Sequence, residues 1–396
     1  MIKYNFNEII ALLLSLLILN NLLLIGLNFS DLFLKINLIL FFIVLLGFYF
    51  FKPFENWYLK IFFILIILIS LGTPTYEWDP RSIWLFHAKR IFFDSSIFSV
   101  SDNYASFSHN AYPNLVPAFA SSLATFVGHW NEIFPKTAFT FMFLPPLIVS
   151  YVFFKNVKYL IFISLVLFII GKYLFTGWAD GLVAIYFSLS ALLAYLLLIN
   201  ETNSYRNEKI LYFIAFTFFT SLTLIKNEGF ALLSILFLSI LIMTIYKKNF
   251  KKNLKKILYL SFAFLPIILW KMFCYYNGIG NDYVNLSFVS NILPRIFDFE
   301  NYLLISYYLL LNEKFLFSLA FFAVIFWINW NKELFIFVFV NAILYLLVLF
   351  LVFLSTPLDF HFQLDSTAAR VIKTLSFLLS FFGLYNLNSG KDKIVI

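Results

Sequence analysis

Long apolar runs separated by short polar segments repeat along the whole chain, and this pattern predicts a bundle of membrane-spanning helices. Each run approaches the length of about 20 residues that a helix needs to cross the hydrocarbon core. The predicted spans lie at 8–28, 33–51, 58–73, 136–154, 159–176, 181–199, 210–225, 229–246, 257–276, 315–330, 333–354 and 370–388. We therefore predict an all-α, polytopic integral membrane protein with about 12 transmembrane helices.

The composition supports a membrane protein, because 62% of the 396 residues are hydrophobic and only 12% are charged. No soluble globular chain needs that much apolar surface. The single cysteine, Cys274, excludes an intramolecular disulfide and a cysteine-rich metal site. The first apolar run has no small-residue cleavage site after it, so it is expected to be a retained span and not a signal peptide.

The distribution of lysine and arginine predicts the orientation of the chain. With a cytoplasmic N-terminus, 16 of the 28 Lys and Arg residues fall in short inside segments, as the positive-inside rule requires. The lysine-rich run at 247–256 is then a cytoplasmic anchor that contacts anionic lipid, and not a nucleic-acid site. Both termini are predicted to face the cytoplasm.

The same topology places the remaining polar residues on the outer face. The largest outer loop is 73–135, a second outer segment is 277–314, and all four histidines lie outside. Amphipathic helices are expected at 82–98, 112–128 and 292–312. Segment 112–128 is apolar enough for a span, but counting it as one would place the lysine run outside, so we predict an interfacial or half-inserted helix.

Four outer stretches carry a resemblance to a known superfamily. They are WDPRSIWLFHAKRIFFD with HNAYPNLVP, then GWADGLVAIYF at 177–187, IKNEGFALL at 225–233, and TPLDFHFQLDSTAARV at 356–371. In this order they resemble polytopic membrane glycosyltransferases of the GT-C superfamily. The best match is the bacterial branch of the dolichyl-phosphate-mannose protein mannosyltransferase and aminoarabinose transferase type, glycosyltransferase family 39. The chain departs from many members by two extra N-terminal spans, at 8–51.

The resemblance implies a single transmembrane catalytic domain over 1–396, with a catalytic aspartate and membrane-parallel helices in the large first outer loop. It implies a bacterial inner-membrane enzyme with a periplasmic active site. Its partners are then a polyprenyl-phosphate sugar donor, a glycan, lipid or protein acceptor, and the bilayer.

The chemistry of such a transfer indicates which residues to examine. An inverting transfer needs a carboxylate that takes the proton of the acceptor hydroxyl, and Asp79 is our candidate for this base. The departing phosphate needs cations, which suits arginine and lysine. The candidate catalytic residues are Asp79, Asp180 and Glu77. The candidate substrate-binding residues are Arg81, Lys89, His109, Tyr112, Lys226, Glu228, His361, Ser366 and Arg370.

Each candidate also has a structural interpretation. Asp79 is placed to cap the helix that begins near Pro80, Lys226 and Glu228 are spaced to pair with each other, and Arg370 is placed to snorkel. Some superfamily members bind a divalent cation near paired acids, but the acids here form no compact pair, so we predict no metal and no other cofactor. The rival functions are a polysaccharide polymerase or ligase and a lipid-linked glycan transporter.

Overall fold

The computed structural model of the chain describes Ile39, Ile43 and residues 57–102, 104–154, 157–199, 208–280 and 288–389. All the regular secondary structure of the described part is helical, and this part contains no strand. The predicted spans at 8–28 and 33–51 lie outside the described residues, apart from Ile39 and Ile43. So do Lys391 and Lys393 near the C-terminus.

The first five helices comprise the outer loop and the apolar segments on either side of it. They are α1 (Trp57–Gly72), α2 (Leu85–Asp94), α3 (Leu115–Val127), α4 (Thr137–Phe153) and α5 (Val157–Ile169). A π-helical turn, Pro80–Trp84, leads directly into α2, and a 3-10 turn, Gly171–Leu174, follows α5. The predicted span at 159–176 is therefore too long, because Gly171 has a φ of +55°, which an α-helix cannot continue.

The remaining ten helices form the rest of the bundle. They are α6 (Asp180–Ala194), α7 (Glu208–Ile225), α8 (Asn227–Tyr246), α9 (Phe250–Ser261), α10 (Leu265–Tyr276), α11 (Phe288–Ile296), α12 (Phe299–Leu310), α13 (Glu313–Ile328), α14 (Lys332–Ser355) and α15 (Phe360–Ser389). Each predicted span from 58 onward thus contains at least one helix, although some spans extend past the helix end. The amphipathic helix predicted at 292–312 is broken between α11 and α12.

Helix α6 lies at the centre of the bundle, and every one of its residues is buried. It packs against α4, α7, α8 and α15, and α15 packs in turn along α13, α14 and α5. The hydroxyl of Tyr186 donates to the Met142 carbonyl at 3.0 Å, so the one tyrosine of this helix is satisfied inside the core. Because α6 is enclosed on all sides, it holds the side chain of its first residue, Asp180, in a fixed position.

The membrane prediction holds at a coarser level than 12 spans. Five helical segments in the described part of the chain are long and apolar enough to cross a membrane, and α12 with α13, bent by 73°, would make a sixth. Helices α9 and α10 together form one of the five, Phe250–Tyr276. These segments indicate a membrane-embedded protein. The shorter apolar helices, including α1, α4 and α5, do not meet this length on their own.

The structure adds detail to two local predictions. The lysine-rich run is helical from Phe250 onward, on α9, where Asn253, Ile257 and Leu260 form a buried face and the lysines point outward. Segment 112–128 was predicted to be an interfacial or half-inserted helix, which stays a prediction, and α3 within it is buried by neighbouring helices over all of Leu115–Ala124. It packs against α2, α4 and α7, because an apolar helix with small residues such as Ala118 and Ala120 allows close approach of its neighbours.

Candidate active site

Asp79 lies immediately before the π-helical turn at the start of the outer loop. Its side chain makes no capping hydrogen bond to that turn, so the capping interpretation is wrong. The carboxylate instead accepts a hydrogen bond from Arg370 on α15, 291 residues away in the sequence. The outer loop is therefore attached to the bundle through an ion pair between Asp79 and a distant span.

Asp180 is the first residue of the buried helix α6 and bridges two cations. Its Oδ1 lies 3.0 Å from Lys226 Nζ, and its Oδ2 lies 3.2 Å from Arg370 Nη2. Lys226 Nζ also lies 2.7 Å from Glu228 Oε1. The predicted pairing of Lys226 with Glu228 is thus present, but Asp180 is a second partner. We call Asp79, Asp180, Lys226, Glu228 and Arg370 the ion network.

The ion network is buried around Lys226 and Asp180, is more exposed at Glu228, and is slightly negative. The side chains of Lys226 and Asp180 are 6% and 7% exposed. When all five groups are ionised, three carboxylates face two cations, which leaves one net negative charge. Oε2 of Glu228 is buried and has no hydrogen-bond partner among the described residues, so it can still accept a hydrogen bond from a ligand hydroxyl.

Close backbone packing sets the geometry of the network. Gly177 has a φ of +89°, and a Cβ added there would lie 3.0 Å from the Pro80 side chain, which brings the segment before Asp180 against the start of the outer loop. A Cβ at Gly229 would lie 1.8 Å from the Leu222 carbonyl oxygen, so α8 turns back tightly on α7. That tight turn contains Lys226, whose extended backbone precedes α8.

Aromatic rings complete one side of the network. The guanidinium carbon of Arg370 lies 4.0 Å from the centroid of the Trp178 ring, which is a favourable cation–π distance. Trp178 stacks on Tyr173, with 5.4 Å between their ring centroids. These rings fix the planar guanidinium while its nitrogens contact two aspartates.

Burial raises the pKa of Asp79 above its ordinary value, and the charge of Asp180 adds to this shift. Arg370 and Lys226 act in the opposite direction. A carboxylate with a raised pKa is a stronger base than a solvated one, which suits a group that must remove a proton. Asp79 therefore has the electrostatic environment of a candidate base.

The other predicted catalytic residue, Glu77, lies outside the network. Its Oε1 is 2.7 Å from Lys172 Nζ, in a pair whose side chains are 23% and 55% exposed. Arg81 is exposed and forms no ion pair with a described residue, and Lys89 is half-buried without joining the network. The structure thus separates these three residues from the five that converge.

Tyr112 and His109 lie at the border of the network. Tyr112 is close enough to Lys226 to interact with it electrostatically, and the His109 ring stacks on Tyr112 with 5.0 Å between centroids. His361 and Ser366 are exposed on the first turns of α15, where the Ser366 hydroxyl donates to the Phe362 carbonyl at 2.7 Å. The structure brings neither of these two to the network.

A separate cavity of about 320 Å³ opens between α8 and α10. Its walls are mostly apolar and include Phe230, Ile267 and Met272, with Lys271 as the one charged lining residue. Lys271 Nζ donates to the Ala111 carbonyl at 3.0 Å and to Asn227 Oδ1 at 2.7 Å. Two hydrogen bonds of the Lys271 ammonium are therefore already made to neutral oxygens.

Lys226 and Arg370 were both predicted from the sequence as substrate-binding residues, and the structure brings them together around Asp180. Sequence reasoning missed Trp178 and Tyr173, although Trp178 stands two residues before Asp180 in a quoted motif. It also missed Lys373, which follows Arg370 by one helical turn. The available signal was a lysine inside an apolar span, which is itself a reason to suspect a site.

Among the described residues, no group of three or more His, Cys, Asp or Glu side chains is placed to hold a metal ion. The prediction about metals therefore stays a prediction. No family model matches the chain, and neither a curated protein nor a solved structure does. The resemblance to GT-C glycosyltransferases thus rests on the sequence motifs alone.

Proposed function

We propose that the chain is an inverting glycosyltransferase that moves a sugar from a polyprenyl-phosphate donor to an acceptor hydroxyl at the outer face of the membrane. The observation that carries this proposal is the ion network, in which Asp79 from the outer loop meets Asp180 and Arg370 from two distant helices. Burying several charged groups is costly and is normally tolerated only where a function requires them.

The residues have distinct roles in this proposal. Asp79 accepts the proton of the acceptor hydroxyl as that oxygen attacks the anomeric carbon. The bond between this carbon and the phosphate oxygen breaks, and the electron pair leaves with the phosphate. Arg370 holds Asp79 in place, Asp180 holds Arg370 and Lys226, and Glu228 offers a free oxygen to a sugar hydroxyl.

The proposal predicts a large loss of activity in Asp79→Asn. Turnover should fall by about 10²- to 10⁴-fold, the usual contribution of a positioned general base. The amide keeps the size of the side chain, so folding should be retained. The assay is sugar transfer from a polyprenyl-phosphate donor by purified protein in lipid.

Three results would contradict the proposal in different ways. Near wild-type transfer by Asp79→Asn would remove Asp79 as the base. Movement of a lipid-linked glycan across vesicles by the wild type without any sugar transfer would favour a transporter. Elongation of the lipid-linked glycan itself would indicate a polymerase.

The raised pKa of Asp79 gives a second readout of the same assay. The base must be ionised, so activity should be lost as the pH falls through that raised pKa. The acid limb of the wild-type pH profile should therefore lie above the ordinary aspartate pKa of about 3.9.

The proposal also includes the orientation of the chain in a bacterial inner membrane. Positions 73–135 and 355–369 would be periplasmic, while 247–256 and both termini would be cytoplasmic. Single cysteines at positions 102 and 250, in a protein with Cys274 replaced by alanine, should react with an impermeant label from opposite sides. Labelling of both from the same side would contradict this topology.

A further inference from the structure

Three lysines lie beside the ion network without belonging to it. Lys172 lies on the 3-10 turn after α5, Lys314 at the start of α13 and Lys373 on α15, one helical turn after Arg370. We call them the three-lysine cluster. Lys314, Lys172 and Arg370 are near enough to Lys373 to repel its ammonium, whereas Asp180 of the ion network attracts it without forming an ion pair.

The two deeper members of this cluster have no carboxylate partner in the part of the chain that the structure describes. Lys373 Nζ lies 3.6 Å from the centroid of the Tyr173 ring, and Lys314 Nζ lies 5.8 Å from that of Phe168. Lys172 does have a partner, Glu77, but more than half of its own side chain is exposed. Ring faces hold these ammoniums in place without neutralising them.

The ion network is poorly suited to bind an anion in its present arrangement. Both of its cations are already bonded to carboxylates, and its net charge is negative when all five groups are ionised. A phosphate next to it would meet Asp79 and Asp180 as well as Arg370. The nearby charge that remains available for an anion is that of the three lysines.

We propose that the three-lysine cluster binds the phosphate group of a membrane lipid. A tetrahedral phosphate offers oxygens in several directions and so suits ammoniums that approach from separate elements, whereas a flat carboxylate offers two oxygens in one plane. Lys373 lies within a helix long and apolar enough to span the membrane, so a lipid headgroup reaches it more readily than a soluble anion. Lys271 is a weaker candidate, because two neutral oxygens already bind its ammonium.

The inference rests on the proposed function only in naming the lipid, a polyprenyl monophosphate. That lipid carries the phosphate group that the proposed transfer releases. The binding site itself is independent of whether any sugar is transferred.

The test measures binding of polyprenyl monophosphate to the purified chain in phosphatidylcholine nanodiscs, by native mass spectrometry. Lys373→Met should weaken binding by about 10- to 100-fold, the value of one charge-assisted hydrogen bond. Lys373→Arg should stay within about threefold of the wild type, because it keeps the charge. Lys255→Met, on the exposed face of α9, is the matched control and should bind as the wild type does.

Several outcomes would overturn the inference. Unchanged binding by Lys373→Met would make Lys373 a snorkelling lysine, and a loss seen only in Lys271→Met would place the phosphate in the cavity between α8 and α10. Inorganic phosphate that binds as tightly as the lipid would overturn the lipid assignment. In contrast, lysine-dependent binding by a wild type that transfers no sugar would support the inference and contradict the proposed function.

Discussion

Two buried polar side chains of the same outer loop, Asp79 and His87, are satisfied in opposite ways. His87 bonds within its own loop: Nδ1 lies 2.6 Å from the Tyr104 hydroxyl and Nε2 lies 2.8 Å from the Ser108 carbonyl oxygen. Asp79 bonds to Arg370, 291 residues away. The first arrangement folds the loop on itself, whereas the second forms only when the whole bundle is assembled.

His87 and Asp79 also differ in their electrostatic surroundings. The Ser108 carbonyl oxygen can only accept, so His87 donates to it through Nε2, and a neutral ring then accepts from the Tyr104 hydroxyl through Nδ1. Burial lowers the pKa of His87 to about 4. Asp79 instead lies among three charged groups from other segments, which are Asp180, Lys226 and Arg370. The comparison indicates a structural role for His87 and a chemical role for Asp79.

The largest stability effect should come from removing Arg370. Arg370→Met leaves Asp79 and Asp180 with Lys226 as the remaining cation of the network, and breaking a buried ion pair in this way costs about 3–5 kcal/mol of the free energy of unfolding. Unfolding by denaturant in mixed micelles would measure this loss.

The double variant Arg370→Met with Asp180→Asn sharpens that experiment. Removing one of the two stranded carboxylates should recover part of the lost stability, so the two effects should not add. Strict additivity would show that the two side chains are not coupled in the folded protein and would contradict the bridging geometry of Asp180.

The sequence predicted the elements of the ion network better than its pairing. Four motifs predicted on one face of the membrane contain Asp79, Asp180, Lys226 and Arg370, because the predicted spans between them return each motif to the same side. Which carboxylate each cation takes depends on how the helices are rotated about their axes. Sequence spacing does not determine that rotation, so the double contact of Arg370 was not predicted.

The elements of the bundle were predictable for a similar reason, and the errors were local. Hydropathy places a helix wherever an apolar run occurs, but it cannot distinguish lipid from protein as the apolar surroundings. The lysine distribution assigned helix α3 to the interface, and hydropathy gave no sign that neighbouring helices enclose it. Lys373 was overlooked because a lysine in an apolar helix can also snorkel.

A smaller effect, visible only in acid, should come from His87. Its folded pKa of about 4 is below the unfolded value of about 6.5, so the unfolded chain binds the proton first. The stability that depends on neutral His87 is complete above pH 6.5 and is lost as the pH falls towards 4. The loss should be about 3 kcal/mol.

The variant His87→Gln tests this difference, because its amide can also donate to Ser108 and accept from Tyr104 without titrating. Between pH 6.5 and 4 the stability of the wild type should fall more steeply than that of the variant. Sugar transfer near pH 7 should be nearly equal in the two proteins. Parallel stability curves would mean that the His87 pKa is the same in the folded and unfolded chains.

The smallest effect should come from Glu77, the acid of the outer loop that lies outside the ion network. Its exposed pair with Lys172 should contribute only about 0–1 kcal/mol to stability. Glu77 nevertheless competes with a phosphate for the Lys172 ammonium, so Glu77→Gln should leave sugar transfer nearly unchanged and tighten polyprenyl monophosphate binding by up to about fivefold.

The matched control is Glu313→Gln, since Glu313 is also an exposed acid and lies next to Lys314 in the chain. It should change binding less than Glu77→Gln if direct pairing with a lysine is what matters. A loss of transfer by a factor of about 10² in Glu77→Gln would instead make Glu77 a second base. The active site would then extend from the ion network to the exposed side of the outer loop.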